Sequence, residues 1–529
     1  AITEFEINPF AFTGNGSLVA LDGYAVFDRK RKIPADLSVK PAASLEGFFR
    51  PSGIAVIGVS TKDGMHPGNI IAENLLQLGR SDVYCVNPKG GKAALEGRDL
   101  DLFASLQAIP SPVSLAVVTV PAAYVLDVVR DCAEAGVGAV LLIPGGFGEI
   151  DENRDLEEDI LKIAGEKGIR VMGPNCLGVF LAEAGNEAGL NTFFIPEEKF
   201  RVALDREKNV AIFTQSGAMG IMEIYNLKNA ISPRVVVSYG NQLDIDPSDL
   251  VNYFNEDPSV AVMGLYIEGF KPSAGRRFFN ITSQSRKPVI VYKAGRTEEG
   301  KRAAQSHTAS IAGEYEVAKA AMKQAGLIVA ESMIDHGDFV KTFAMLHDFR
   351  ADGNRVAVIA NAGYEKTYAA DNLGSLVLAD LDENTKNELR KLLPPFVGVD
   401  TLLDLTPMVS DEVYDRCIDL MLSSDRVDAL CVSIVPQAQV LHTTDEEISL
   451  DKDNVAVRIV NTVKKHKKPV VVSVNVVYGA DALYNKFGQV LDSGGVPTFL
   501  TAERAMVCLN AFIRYKLNKE RRLLSEMLK

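Results

Sequence analysis

Short runs of apolar and β-branched residues alternate with longer amphipathic stretches along most of the chain. The first group is Ile54-Ala55-Val56-Ile57, Val83-Tyr84-Cys85-Val86, Leu115-Ala116-Val117-Val118 and Ala139-Val140-Leu141-Leu142-Ile143. A second begins at Val210-Ala211-Ile212-Phe213 and continues through Arg234-Val235-Val236-Val237-Ser238 and Val262–Ile267 to Pro288–Lys293. A third runs from Arg355-Val356-Ala357-Val358-Ile359 through Ala429–Ile434 to Pro469–Ser473. Strands apolar at every position are buried on both faces, as in a parallel sheet covered by helices. The pattern predicts three consecutive α/β domains, with seams in the polar stretches near 186–209 and 346–354. Ahead of them, the basic, proline-containing segment Arg29–Pro41 reads as a linker.

Composition narrows the class without naming a function. The 529 residues are too many for one core. No uninterrupted apolar run reaches membrane-spanning length, so a soluble protein is expected. A net charge of −13 argues against nucleic-acid binding, which needs clustered Lys and Arg at phosphates. The six cysteines show neither metal spacing nor a paired framework, and a reducing cytoplasm is the default. No signal peptide opens the chain, and its first residue is Ala rather than Met, which suggests a processed, engineered or cleaved end.

The candidate chemistry sits where apolar runs stop. After the first strand, Gly58-Val59-Ser60-Thr61-Lys62 is a small-residue turn whose N–H groups, with Ser and Lys side chains, suit a phosphate. A dinucleotide site is disfavoured. The turn lacks G-x-G-x-x-G, and the second strand ends in Asn87-Pro88-Lys89 instead of a ribose-holding carboxylate. Val120-Pro121 and Pro144-Gly145-Gly146 follow the next two strands, at the edge where open α/β sheets bind ligands. Gly173-Pro174-Asn175-Cys176-Leu177-Gly178 and Thr214-Gln215-Ser216-Gly217 place small and polar residues where a strand passes into a helix, offering N–H groups to an anion. Cys176 itself reads as a small buried cysteine rather than a nucleophile. Asn361-Ala362-Gly363-Tyr364-Glu365-Lys366 repeats the arrangement in the third domain. His307, in Gln305-Ser306-His307-Thr308-Ala309-Ser310, stands among small side chains that leave an imidazole accessible. The other histidines (His66, His336, His347, His442, His466) lie in helix-like polar patterning or isolated loops. Glu223, in the helix after Gln215-Ser216-Gly217, reads either as a solvent-facing glutamate or as a carboxylate that fixes an imidazole tautomer.

Together these motifs resemble the ADP/GDP-forming acyl-CoA synthetase superfamily. The likeness rests on Gly173-Pro174-Asn175-Cys176-Leu177-Gly178, Gln215-Ser216-Gly217, Gly240-Asn241, Ser306-His307-Thr308 and Asn361-Ala362-Gly363. It implies a CoA-binding Rossmann-like domain over 46–185, a flavodoxin-like CoA-ligase domain over 186–350 and a second flavodoxin-like ligase domain over 351–529. It makes His307 the phosphorylated residue and Glu223 the carboxylate that steadies it. Asn175, Cys176, Gln215, Ser216, Gly217, Asn361, Ala362 and Gly363 become phosphate-facing. Gly58, Ser60, Thr61, Lys62, Asn87, Lys89, Val120, Pro121 and Gly145 fall to CoA. The opening Glu4-Phe5-Glu6-Ile7-Asn8-Pro9 and Leu18-Val19-Ala20-Leu21-Asp22-Gly23 resemble the tail of an ATP-grasp domain over 1–28, with 29–45 as linker. Asn8 and Asp22 then match its Mg²⁺ ligands.

The implied activity joins a small carboxylic acid to CoA, with cleavage of ATP or GTP through an acyl phosphate and a phosphohistidine. The partners implied are the acid, CoA, and an ATP-grasp domain or subunit, in a cytoplasmic homo- or hetero-oligomer. A non-catalytic acyl-CoA-binding regulator on the same scaffold is the alternative. Two departures from the family pattern stand out: Ala309 where Gly is usual after Ser-His-Thr, and charges in the Asn361–Lys366 loop.

Overall fold

The computed structural model describes residues 2–14, 18–27, 42–147, 153–308, 314–475 and 482–527. Three largely parallel sheets follow one another along the chain, each apolar run forming a buried or half-buried strand as its pattern predicts. The first sheet has the order Arg170–Met172, Ala139–Leu142, Leu115–Val118, Ile54–Ile57, Val83–Val86. Strand order therefore reverses around Ile54–Ile57, and the turn after it sits at a topological switch point. Gly58 (φ 104°) and Gly68 are needed there, because a Cβ on either would meet Thr119 Oγ1 at 2.6 or 2.8 Å. That closeness lets the helix Pro67–Gln77 start against the strand end, with His66 Nδ1 accepting the Gly68 N–H at 3.2 Å as its cap.

The second sheet is larger, in the order Leu190–Asn191, Gly178–Leu181, Ser232–Ser238, Lys208–Thr214, Val262–Ile267, Val289–Lys293, Ile328–Ala330. The sequence places 178–185 in the first domain, yet its strand pairs with the second sheet. Gly178–Leu181 runs antiparallel beside Ser232–Ser238, so the chain enters the second sheet immediately after Gly173-Pro174-Asn175-Cys176-Leu177. The third sheet is built on Arg355–Ala360, Ala429–Ile434 and Val470–Val474, with the short strands Val377–Leu378, Leu402–Asp404 and Thr498–Phe499 added to it. Near the amino terminus, Ile2–Ile7 pairs with Gly23–Phe27 and Phe10–Phe12 with Leu18–Ala20, both antiparallel.

Two seams hold the sheets together. At the first, the N–H groups of Asn241 and Leu243 donate to the carbonyls of Pro174 and Gly173 at 3.0 and 2.9 Å. Arg170 also reaches Asp244 at 2.7 Å, both side chains being nearly buried. At the second, the long helix Ala502–Met527 packs against the helix Met333–Met345 through Phe343 and Phe512, while Arg504 pairs with Asp335 and Asp338. Among the described residues no helix is long and apolar enough to cross a membrane.

Gly240 has φ 56°, and an ideal Cβ there would lie 2.1 Å from the Pro174 carbonyl oxygen. Gly240→Ala is expected to destabilise the chain by roughly 2 kcal/mol or more, through strain and a clash with backbone that cannot retreat. Gly275→Ala, in the helix Ala274–Ser283 where a Cβ meets nothing within 4 Å, is the control, expected to be neutral or to stabilise by up to about 1 kcal/mol. Urea midpoints of the two variants check the difference.

Candidate active site

A cavity of about 480 Å³ opens at the first seam, lined by Asn175, Gln215, Ser216, Gly217, Asn241, Tyr266, Glu268, Ala294, Gly295, Gly300, Ala303 and Ala304. Its walls come from three sources. The Gly173–Asn175 loop carries Asn175 in from the first domain, with a positive φ of 56°. The carboxyl ends of the strands Lys208–Thr214, Val262–Ile267 and Val289–Lys293 supply Gln215, Glu268, Ala294 and Gly295. The helix Glu298–Thr308 contributes Gly300, Ala303 and Ala304. His307 is on this same helix, one turn beyond Ala303 and Ala304; its side chain lies outside the described residues, as do residues 309–313.

Part of the cavity wall has the chemistry that suits an anion. The helix Gly217–Leu227 begins on its wall, capped by Ser216, whose side chain accepts the Met219 N–H. The N–H groups of Gly217 and Ala218 lie in the first turn, where no intrahelical acceptor exists, and the helix dipole adds positive potential. Gly217 must be glycine, since a Cβ would stand 2.8 Å from that of Leu177. Gln215 is nearly buried, and its Oε1 accepts the N–H groups of Glu268 and Gly269, the latter at 3.0 Å. Two backbone donors fix the amide's orientation, so its Nε2 is the end left over, and it has no partner among the described residues. Burial, with Glu268 beside it, pushes the Tyr266 hydroxyl above its usual range, so this phenol stays protonated.

The predicted residues divide by position. Asn175, Gln215, Ser216 and Gly217 come together at the cavity. Cys176, grouped with them in the sequence, does not line it: its thiol turns inward to Leu142 O at 3.2 Å, and burial pushes its pKa up to about 12. Glu223 has a described partner other than the expected one. It is buried, and its Oε1 accepts from His336 Nδ1 at 3.0 Å. Six residues into the helix, it stands about 9 Å along the axis from the terminus that faces the cavity. His336, set aside in the sequence as part of a polar helix pattern, is fully buried because the helix Met333–Met345 packs that face on the second sheet.

The carboxylate that does line the cavity is Glu268, which sequence reading passed over. Its signal was present: Tyr266-Ile267-Glu268-Gly269 puts an acid and a glycine directly after a buried strand, at the ligand-binding edge.

Gly58, Ser60, Thr61, Lys62, Asn87, Lys89, Val120, Pro121 and Gly145 all fall at the carboxyl edge of the first sheet, around its switch point. Ser60 Oγ accepts the N–H groups of Lys62 and Asp63 at 3.2 and 3.0 Å, shaping the turn, and Asn87 Nδ2 donates to Val59 O at 2.8 Å. Asn361, Ala362 and Gly363 do not reach the cavity. Asn361 spends both ends of its amide on Val435, at 2.9 and 2.8 Å. The helix Gly363–Asp371 carries the fully buried Glu365 in its own first turn, hydrogen-bonded by Ser433 and Asn475. That carboxyl group lies in the same first turn whose N–H groups would face an anion.

Asn8 and Asp22 are neighbours, the Asn8 N–H donating to Asp22 O at 3.2 Å, with Asp22 Oδ1 holding the Gly23 N–H at 2.8 Å. They offer two of the roughly six oxygens an octahedral Mg²⁺ takes, so the remainder would come from phosphates, water or other residues.

The succinyl-CoA ligase like flavodoxin domain family matches residues 207–343, and the CoA binding domain family matches 52–182. The chain is 34% identical over 481 residues to the acetate–CoA ligase [ADP-forming] II subunit alpha of Pyrococcus furiosus, covering 90% of this chain and 98% of that one. It is 30% identical over 526 residues to the acetate–CoA ligase [ADP-forming] II of Archaeoglobus fulgidus, covering 97% and 72%. Among solved structures, the Ca. Korarchaeum cryptofilum acetyl-coenzyme A synthetase 1, in complex with phosphate and ADP, superposes with a TM-score of 0.79 at 33% identity, covering 91% of this chain and 98% of that one. With the CoA-type first sheet, the ligase-type second sheet and these relatives in agreement, the chain belongs to the ADP-forming acyl-CoA ligase family.

Proposed function

We propose that this chain carries the CoA and phosphoryl-transfer half of an acid–CoA ligase, and that the cavity at the first seam is where phosphoryl resides on the way to or from His307. One observation carries the reading: the Gly217–Leu227 helix terminus and the helix bearing His307 border the same cavity. In the synthetic direction, an imidazole nitrogen of His307 takes a phosphoryl group from ATP bound to an ATP-grasp partner, and ADP leaves. A carboxylate oxygen of a small acid then attacks phosphorus, the N–P bond breaks and an acyl phosphate forms. The thiolate of CoA attacks the acyl carbon, forming the thioester and expelling phosphate. Splitting the transfer conserves phosphoryl potential while the partner is exchanged.

The chain's own groups fit these steps. Gly217 and Ala218 N–H, with Gln215 Nε2, meet the phosphoryl oxygens and stabilise the charge that spreads over them in the transition state. Glu268 is the carboxylate we assign to orient the His307 imidazole. Ser60, Thr61, Lys62 and Lys89 hold CoA phosphate and ribose. The nucleotide and Mg²⁺ belong to the ATP-grasp partner, with Asn8 and Asp22 as this chain's share of the metal's oxygens. The relatives at high coverage are named as subunits alpha, which supports a heteromeric enzyme.

Intact-mass analysis of the chain after incubation with acetyl phosphate is the direct test. An acid-labile, base-stable adduct of one phosphoryl group is expected, absent from His307→Asn; an adduct that survives in His307→Asn defeats the assignment. Glu268→Gln is expected to slow adduct formation roughly tenfold or more, whereas Glu223→Gln, acting on the His336 contact, should alter thermal stability and leave the adduct rate within about threefold; equal rates in wild type and Glu268→Gln would return the orienting role to another residue. Because burial holds the Cys176 thiol up to about 12, iodoacetamide at neutral pH should leave this residue unmodified in the native chain, as peptide mapping would report.

A further inference from the structure

Lys293 ends the strand Val289–Lys293 and is 2% exposed. Its Nζ donates to two carbonyl oxygens, Glu268 O at 2.7 Å and Ala294 O at 2.6 Å. Among the described residues no carboxylate oxygen lies within ion-pair distance of it; the charge that acts on it is that of Glu268, further off. Burial draws its pKa down to about 8. A buried ammonium without an ion-pair partner is costly, and that cost falls when an anion arrives nearby.

The two carbonyls belong to the peptides 268–269 and 294–295, both at the cavity wall. In a trans peptide the C=O and N–H point in opposite directions. Turning the two oxygens toward Lys293 therefore turns the N–H groups of Gly269 and Gly295 away from it. Gly269 N–H goes to Gln215 Oε1 at 3.0 Å, the bond that leaves the buried Gln215 Nε2 as the amide's unused donor end. Gly295 lines the cavity, with φ 79°.

We propose that Lys293 is a positioning residue for the anion cavity: it orients the Glu268–Gly269 and Ala294–Gly295 peptides, through the first of them sets the Gln215 amide, and supplies a positive charge behind the wall. The proposal rests on the cavity receiving a phosphoryl group. Lys293 is not a catalytic residue, because it touches backbone and not the ligand. Its effect is electrostatic and orientational, the form of preorganisation that strengthens donors before the anion binds.

Calorimetric titration of the full chain with inorganic phosphate, with CoA affinity as a control for folding, tests this. Lys293→Met is expected to weaken phosphate binding roughly tenfold or more, the scale of losing a charge-assisted contact, while CoA affinity stays within about twofold. Lys293→Arg, which keeps the cation, should recover most of the loss, a rescue that mere packing would not give. In a double-mutant cycle, Gln215→Leu should cost much less in the Lys293→Met background than in wild type, because the amide is then no longer held. Unchanged phosphate affinity in a folded Lys293→Met overturns the proposal and leaves the cavity assignment standing; a wild-type chain that binds no phosphate overturns both. If Lys293→Met loses CoA binding, Lys293→Gln replaces it. The wild-type chain also gives a reading of its own: the ¹³Cε lysine resonance missing from Lys293→Arg should shift on saturation with phosphate, and a resonance that does not move counts against the proposal.

Discussion

The hydrogen bonds from Asn241 and Leu243 to the Gly173-Pro174 carbonyls are the constraint on which the candidate site depends. They press a loop from the first sheet against the strand-to-helix corner of the second, with Gly240 allowing the two backbones to meet. Asn175 reaches the cavity because of that contact, and the Gly217 helix terminus faces it for the same reason. A site assembled from two sheets needs their relative placement held to a fraction of an ångström. Backbone-to-backbone bonds, backed by the nearly buried Arg170–Asp244 pair, do this better than flexible surface side chains would.

Within the second sheet, parallel strands deliver their carboxyl ends to one edge, and the residues just past those ends line the cavity. Gln215, Glu268 and Ala294 each follow a different strand, yet they are tied together by Gln215 Oε1 on one side and Lys293 Nζ on the other. Buried polar groups arranged in this way hold their donors in one orientation, and an apolar core could not. The third sheet takes a different course. Its corresponding helix carries its own Glu365 in the first turn, and that charge of the Asn361–Lys366 loop turns inward to Ser433 and Asn475.

The pairing of Glu223 with His336 is a contact that motifs alone do not announce. Both residues follow recognisable patterns, one in a helix after a small-residue turn and the other in an amphipathic stretch. Which imidazole a carboxylate meets depends on how far along the helix it stands and which neighbouring helix packs there, and neither follows from local spacing. Glu268 was overlooked for the opposite reason: a single acid after a strand carries little weight until other strand ends are seen to converge beside it.

The chain by itself determined the three α/β domains, the parallel sheets and the small-residue turns at strand ends, because burial on both faces and the dihedral demands of tight turns are written locally as apolar runs, Gly and Pro. It also carried the family resemblance, which short motifs over most of the length suffice to establish. Tertiary structure alone decided that Gly178–Leu181 crosses into the second sheet, that Glu268 rather than Glu223 lines the cavity, and that Lys293 stands behind it. These are contacts between residues 25 to more than 100 positions apart, settled by how strands and helices come together rather than by local spacing.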